Sequence, residues 1–149
     1  KLRSAQLTES LRTHLVRSQF QEAWRVIQEV EANRVTVPQF QIYIAWTKIG
    51  ILEDKKNQAA LREIEMELSQ VPLEDRYDAQ FPFVVGLLYK TRGNRTGARK
   101  QFEKALGLDA DYLPARREIS LMDSSVKSGE GTWQKDLKSV VAGLFKKSN

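Results

Sequence analysis

Apolar and polar positions along this chain follow the spacing of α-helices rather than that of strands. Residues 79–112 show the pattern best, with two short helices separated at Gly93 and Asn94. Glycine can adopt the left-handed conformation that ends a helix, and asparagine is a good cap for the next helix. We expect the facing sides of the two helices to be formed by Gly86, Tyr89, Ala98, Phe102 and Ala105. Neither helix buries its apolar face alone, so neighbours must stack on the pair.

This helix pair resembles the tetratricopeptide repeat (TPR), a unit of about 34 residues. The resemblance implies an all-α fold, specifically a TPR-like α-solenoid of antiparallel helix hairpins. It also implies a protein–protein interaction function, because repeats of this family serve as surfaces for other proteins.

The helix-pair pattern of residues 79–112 also matches the first part of the chain, although less closely. Residues 4–37 form a degenerate copy in which Leu11 replaces the small residue and His14 replaces the tyrosine. The apolar face of this copy contains Leu7, Leu11, Ala23, Ile27 and Val30. The spacing is one repeat length, so the sequence predicts a first helix pair here.

A second copy covers residues 38–78, with Ala45 at the small position and Lys48 in place of the tyrosine. Its second helix is predicted at about 58–70, with Ala60, Ile64 and Leu68 on the packed face. This copy is longer than the template, with additional residues around 53–57 and 73–78.

The C-terminal part starts a fourth unit, 113–127, that breaks off in a polar stretch at 124–132. Beyond it, residues 133–147 predict a last helix with an apolar stripe formed by Trp133, Leu137, Val140, Val141, Leu144 and Phe145. We expect this helix to cap the last repeat. The alternatives are a detachable helix that docks into a groove of this chain or of a partner, and a helix that lies on a membrane surface.

The composition is consistent with one domain of stacked helix pairs. The 149 residues suffice for one helical domain and contain no cysteine, which excludes disulfides and thiolate metal sites. The lack of cysteine is compatible with a cytoplasmic protein, which we expect, and does not exclude the periplasm. The chain begins with lysine and shows no signal peptide, so we interpret it as a fragment of a longer protein. The style of the repeats and the lysine-rich end look bacterial.

Charge is concentrated in the second half of the chain. Residues 1–89 carry 11 basic and 12 acidic side chains, whereas residues 90–149 carry 13 and 7, and the total is +5. A basic face is predicted around Arg95, Arg99 and Lys100. It is either a solvated convex surface or a site for an acidic protein. Nucleic acid and membrane are disfavoured because exposed aromatics are not interleaved and the cluster is not dense.

The resemblance also implies where a partner binds, since the first helices of such repeats line the concave side. The positions carried over from the family form a central apolar groove with charged ends: Ile42, Tyr43, Trp46, Phe83, Val84, Leu87, Arg12 and Arg117. An exposed apolar groove suits an amphipathic helix or an extended apolar segment. The alternative is that some of these side chains, such as Tyr43 and Trp46, are inter-helix core.

One subtype of the family is not matched. TPR domains that grip the acidic C-terminal tails of chaperones use basic residues on their first helices. At the corresponding positions this chain has Gln80 and Val84. Binding of that type is therefore not expected.

No catalytic, cofactor or metal site is predicted. The single histidine, His14, occupies a packing position, so we expect it in the core or an interface. Glu63, Glu65 and Glu67 have i, i+2 spacing, which points them apart on a helix. Gly93 lacks the strand-to-helix context of a phosphate-binding loop.

The sequence thus predicts a non-catalytic scaffold or adaptor that binds a partner peptide or helix. The alternatives are the TPR region of a larger regulatory or co-chaperone protein whose activity lies outside this chain, and a self-association module.

Overall fold

The structure, a computed structural model, describes residues 2–124. These residues are all-helical and contain no strand, which confirms the all-α prediction. Six α-helices precede a final segment, and their bounds are α1 Leu2–Val16, α2 Phe20–Ala32, α3 Phe40–Ile51, α4 Gln58–Ser69, α5 Gln80–Thr91 and α6 Arg95–Leu108. A 3-10 helix, Leu73–Tyr77, lies between α4 and α5, and a helical segment at 113–124 is called α7. The predicted helix at 133–147 and most of the predicted loop at 124–132 lie outside the described residues.

The helices pack in a regular, helical repeat-like order. Helix α1 contacts α2 and α3, α3 contacts α4 and α5, and α5 contacts α6. Helices α1 and α3 therefore each pack on the next odd-numbered helix as well as on the helix that follows them. The even-numbered helices α2 and α4 also contact the odd-numbered helix that follows.

The predicted hinge between α5 and α6 is confirmed. Gly93 has a φ of +82°, in the left-handed region, and the amide of Asn94 donates to the carbonyl of Tyr89 at 2.9 Å. The side chain of Asn94 then caps α6 by accepting a hydrogen bond from the amide of Gly97 at 2.9 Å. This turn satisfies backbone groups that the two helix ends would otherwise leave unpaired.

The turn between α1 and α2 has the same hydrogen-bond pattern. Ser18 takes the left-handed conformation with a φ of 58°, and the amide of Gln19 donates to the carbonyl of His14 at 2.8 Å. The register that aligns residue 4 with residue 79 also aligns His14 with Tyr89 and Ser18 with Gly93. The two turns therefore form at equivalent positions although glycine is present in only one of them.

Two glycines allow neighbouring helices to approach. A Cβ on Gly86 of α5 would lie 2.5 Å from the Phe102 ring of α6, so the predicted close approach is confirmed. Gly50 of α3, which the sequence pattern did not single out, would place a Cβ 2.2 Å from the ring of Phe20 of α2. In both places a side chain larger than hydrogen would push the aromatic ring away.

The core runs continuously through the helices. The predicted packing residues Leu11, Ala23, Ile27, Ala98, Phe102 and Ala105 are buried, with no more than a trace of exposed surface. In α4 the structure differs from the prediction by one residue, because Leu61 is fully buried while Ala60 is only half-buried. Ile64 and Leu68 are buried as expected.

Helix α7 is held by polar contacts to three other helices. Glu118 accepts from Lys90 of α5 at 2.8 Å, and the carbonyl of Met122 accepts from Arg95 of α6 at 2.7 Å. At the start of α7, Arg117 donates to the carbonyl of Val16, the last residue of α1, at 3.1 Å. The start of α7 therefore lies beside the C-terminal end of α1.

Candidate functional site

The apolar residues predicted to line an exposed groove are core residues instead. Ile42, Tyr43, Trp46, Phe83 and Val84 are each at most 3% exposed. The prediction of groove exposure is therefore wrong for these five residues, and the alternative, that they pack between helices, is confirmed. The physical reason is the direct packing of α3 against both α1 and α5, which covers almost the whole surface of these side chains.

Phe83 is the centre of an aromatic cluster within this core. Its ring centroid lies 4.9 Å from that of Trp46, 5.5 Å from that of Tyr112 and 5.6 Å from that of Phe102. The Trp46 and Tyr112 contacts are edge-to-face, a favourable geometry for aromatic pairs. The remaining predicted groove residues are more accessible: Leu87 is half-buried, and Arg12 and Arg117 are exposed.

A cleft of about 410 Å³ opens beside this aromatic cluster. Its walls come from α1, α3, the start of α5 and the connection between α6 and α7. The lining residues are Arg12, Val16, Trp46, Tyr77, Asp78, Ala79, Gln80, Leu108, Asp109 and Tyr112. Only Arg12 and Trp46 belong to the predicted groove, so the sequence located one edge of this cleft and missed the rest.

Two carboxylates, those of Asp78 and Asp109, line the cleft. Asp78 Oδ1 accepts a hydrogen bond from the amide of Gln80 at 2.9 Å, and Asp109 Oδ1 accepts from the amide of Asp111 at 3.0 Å. Each side chain is thus fixed by the backbone of its own turn. Within residues 2–124, the second oxygen of each carboxylate accepts no hydrogen bond from the protein.

Arg12, the one cation among the described residues of the cleft wall, is already engaged. Its guanidinium donates to the Tyr43 hydroxyl at 3.3 Å and lies 3.7 Å from the carboxylate of Glu9. The hydrogen bond to Tyr43 is the main cause that raises the pKa of Arg12 above its ordinary value, against the opposing effect of partial burial. Arg12 therefore keeps its charge while part of its donor capacity is used.

Two polar atoms in the cleft wall are buried without a partner. Gln80 is 7% exposed, and its Oε1 has no hydrogen-bond donor within the described chain. The same holds for the hydroxyl of Tyr112, which finds no partner among residues 2–124. Burial, and secondarily the charge of Asp78, raises the pKa of this phenol, so it stays protonated. An unpaired buried polar group costs about 1–3 kcal/mol, which makes this wall energetically unusual.

The predicted basic face is only partly free. Arg99 is bound to Glu103 at 3.1 Å and to Asp123 of α7 at 2.8 Å, and Arg95 donates to the backbone of α7. Lys100 is exposed. Arg95 and Arg99 thus attach α7 to α6 and do not form an open basic patch with Lys100, which corrects that part of the prediction.

The residues considered for catalysis do not converge. His14 is half-buried at the end of α1, where its Nδ1 lies 2.8 Å from Gln19 Oε1, and it is not a core residue. Lys48 pairs with Glu63 at 3.4 Å and with Glu67, whereas Glu65 pairs with Arg92 at 2.9 Å. Glu65 therefore points away from Glu63 and Glu67 as the i, i+2 spacing predicts, whereas Glu63 and Glu67 share Lys48. No cluster of three potential metal ligands occurs in the part of the chain that the structure describes.

Within residues 2–124, none of the helices combines the length and the apolar character needed to cross a membrane. Comparison with known proteins adds no further constraint: no family model, no curated protein and no solved structure matches this chain.

Proposed function

We propose that this chain is a TPR-like, non-catalytic protein-interaction module that serves as a scaffold or adaptor. The observation that carries the proposal is the repetition of one turn at equivalent positions. His14, Ser18 and Gln19 form the same hydrogen-bonded reversal as Tyr89, Gly93 and Asn94. A helix pair that repeats in this way, with α1, α3 and α5 packed in succession, is what stacked repeats of this class require.

The partner would bind at the cleft between α1, α3 and α5, and not in an apolar groove. The side chains that were expected to receive an apolar segment are buried, so they are not available to a ligand. The cleft has polar and aromatic walls and a volume of about 410 Å³. This volume is in the range of about 300–1,000 Å³ for sites that hold a small ligand, and it suits one long side chain rather than a whole helix.

The non-catalytic part of the proposal is supported by the partners of the candidate residues: His14 contacts Gln19, and Glu63, Glu65 and Glu67 pair with lysine or arginine. The absence of cysteine is in keeping with a cytoplasmic location, which we include in the proposal.

Peptide selection tests this proposal directly. A library of random extended peptides displayed on phage would be panned against the immobilised 149-residue chain. We expect enrichment of a consensus that is captured by the folded chain and not by the chain unfolded in denaturant. A synthetic peptide of that consensus should compete with the displayed one. If repeated rounds enrich no sequence over an unrelated helical protein, the interaction function is wrong.

A further inference from the structure

The charges in the cleft wall favour a cation. The side chains of Asp78 and Asp109 carry two negative charges, against one positive charge on Arg12. Both carboxylates are held by backbone amides through Oδ1, which leaves Oδ2 of each for a ligand. Arg12 donates to Tyr43, lies near Glu9 and is also close enough to Asp78 to interact with its charge. The described lining residues therefore carry one excess negative charge, in a chain whose net charge is +5.

The C-terminal end of α6 adds to this negative potential. The cleft is bordered by Leu108 at that end, whereas the end of α1 at Val16 already accepts a hydrogen bond from Arg117. The C-terminal end of a helix carries a partial negative charge and is stabilised by nearby cations. Asp109 is the residue that follows α6, where its own charge is unfavourable. A bound cation would relieve this repulsion.

The protein already places one guanidinium at such an end. Arg117 donates to the carbonyl of Val16 at 3.1 Å. This internal contact illustrates, next to the cleft, the hydrogen bond that an incoming arginine would make.

The unpaired buried atoms provide an independent observation. Gln80, more than nine-tenths buried, presents an acceptor without a donor, and the Tyr112 hydroxyl has no partner within residues 2–124. Guanidinium and ammonium groups have only donors, which is the kind of group that these oxygens lack. Both oxygens have almost no accessible surface, so a ligand reaches them only if the cleft wall moves.

Aromatic rings complete the cleft. Tyr77 at its rim is 70% exposed and offers an accessible ring, whereas Trp46 in its wall is only 3% exposed. Cations are attracted to the faces of aromatic rings, and planar guanidinium groups stack on them especially well.

We propose that this cleft binds the basic side chain of an arginine or lysine presented by an extended segment of a partner protein. The inference rests on the proposed interaction function and specifies the chemistry of its ligand. Asp78 and Asp109 would hold the charge, and the exposed Tyr77 would cover the aliphatic part of the side chain. The buried oxygens of Gln80 and Tyr112 would accept hydrogen bonds once the cleft wall moves.

Blocked pentapeptides that differ only in their central residue test the charge requirement. Arginine, lysine, citrulline and glutamate versions would be titrated into the 149-residue chain and followed by calorimetry and by amide resonances of residues 78–80 and 109–112. We expect the arginine peptide to bind at least about tenfold more tightly than the citrulline peptide, and to weaken as salt rises. Equal binding of arginine and citrulline, or a preference for glutamate, would overturn the inference.

A charge-matched pair of double variants locates the site. Asp78→Asn with Asp109→Asn removes the charges but keeps an oxygen that can accept the two backbone hydrogen bonds, and should abolish the preference for arginine. Glu74→Gln with Asp111→Asn makes the same change in net charge at exposed positions outside the cleft lining and should leave binding unchanged. Equal loss in both would show that only overall charge matters, and would refute the site.

Arg12→Gln is expected to change the affinity for the arginine peptide in the opposite direction to the Asp variants. It therefore tests the inference even if the Asp variants unfold. We expect it to strengthen binding of the arginine peptide several-fold, because a competing cation is removed. If binding is instead lost, the cleft recognises an anion through Arg12.

Arginine amide alone should bind much more weakly than the peptide, and equal affinity would indicate a free small molecule instead of a protein segment.

The inference and the proposed function can fail separately. A selected peptide consensus without a basic residue, bound equally by the Asp78→Asn/Asp109→Asn variant, would refute the basic-side-chain site while the interaction function stands. Failure to select any peptide would defeat the interaction function itself.

Discussion

The ring of Phe83 meets that of Trp46 edge to face, with the centroids 4.9 Å apart and the planes at 65°. This contact joins α5 to α3 in the interior, and both side chains are about 3% exposed. A pair of aromatic residues expected at a binding surface is thus a structural element of the core.

Truncation of either aromatic side chain should therefore destabilise the fold and not merely abolish partner binding. We expect Trp46→Ala and Phe83→Ala each to lower the free energy of unfolding by about 3–5 kcal/mol, the usual cost of removing a buried aromatic side chain. Urea denaturation followed by circular dichroism would measure it. Leu87→Ala, at a half-buried position of α5, is the control and should cost less. Wild-type stability in both aromatic variants would instead support the prediction that Trp46 and Phe83 line an exposed groove.

Glycine 86 and glycine 107 form a matched pair for the packing of α5 against α6. Gly86→Ala should destabilise the protein by about 1–3 kcal/mol, because its Cβ would lie 2.5 Å from the ring of Phe102. Gly107→Ala meets nothing within 4 Å and should stabilise α6 by up to about 1 kcal/mol, since alanine is the better helix former. Thermal melts of the two variants would check the difference in sign. Equal effects would mean that the helices do not approach as closely as described.

The two equivalent turns predict opposite responses to substitution. Ser18→Gly should stabilise the protein by up to about 1 kcal/mol, because a φ of 58° is unfavourable for a residue with a Cβ. Gly93→Ala should destabilise it by about 1–2 kcal/mol, since alanine would be forced into a φ of +82°. Denaturant midpoints would show the two shifts. A loss of stability in Ser18→Gly would contradict the left-handed turn at the end of α1.

Tyr112 should make the fold sensitive to alkali. Burial raises the pKa of its phenol in the folded state above the ordinary tyrosine value of about 10. The unfolded chain therefore loses this proton first, so the contribution of Tyr112 is fully present below about pH 10 and declines as the pH rises further.

Tyr112→Phe isolates this contribution. The variant should lose less stability than the wild type between about pH 9.5 and 11, and at pH 7 it should be no less stable, because the hydroxyl that is removed has no hydrogen-bond partner in the described chain. Tyr77→Phe, at a tyrosine that is 70% exposed, should leave the pH profile unchanged. Identical profiles for the wild type and Tyr112→Phe would show that the phenol is not buried.

Local features were the easiest to predict from the sequence. The hinge at Gly93 and Asn94 lies within a few residues, and its chemistry depends on those residues alone. The 3-10 helix Leu73–Tyr77 was expected only as extra length, because five residues are too few to show a helical period. In α4 the neighbouring Ala60 and Leu61 are both apolar, so periodicity did not decide which of them is buried.

The site was harder to predict because it depends on distances between helices. Trp46 and Phe83 have the apolar character of both a groove and a core, and only the direct packing of α3 on α5 decides between them. Asp78, Asp109 and Tyr112 each follow a helix as ordinary turn residues. Nothing in their spacing indicates that they and Arg12 line one cleft.

The hydrogen bond from Arg117 to Val16 spans 101 positions of the chain. Stacked units that touch only their immediate neighbours can fray one by one from either end. The hydrogen bond between α7, the last described helix, and α1 opposes such fraying, because opening of one of these helices also removes a contact of the other. The described helices should therefore melt together, in a single transition, and amide exchange should protect α1 and α7 to similar extents.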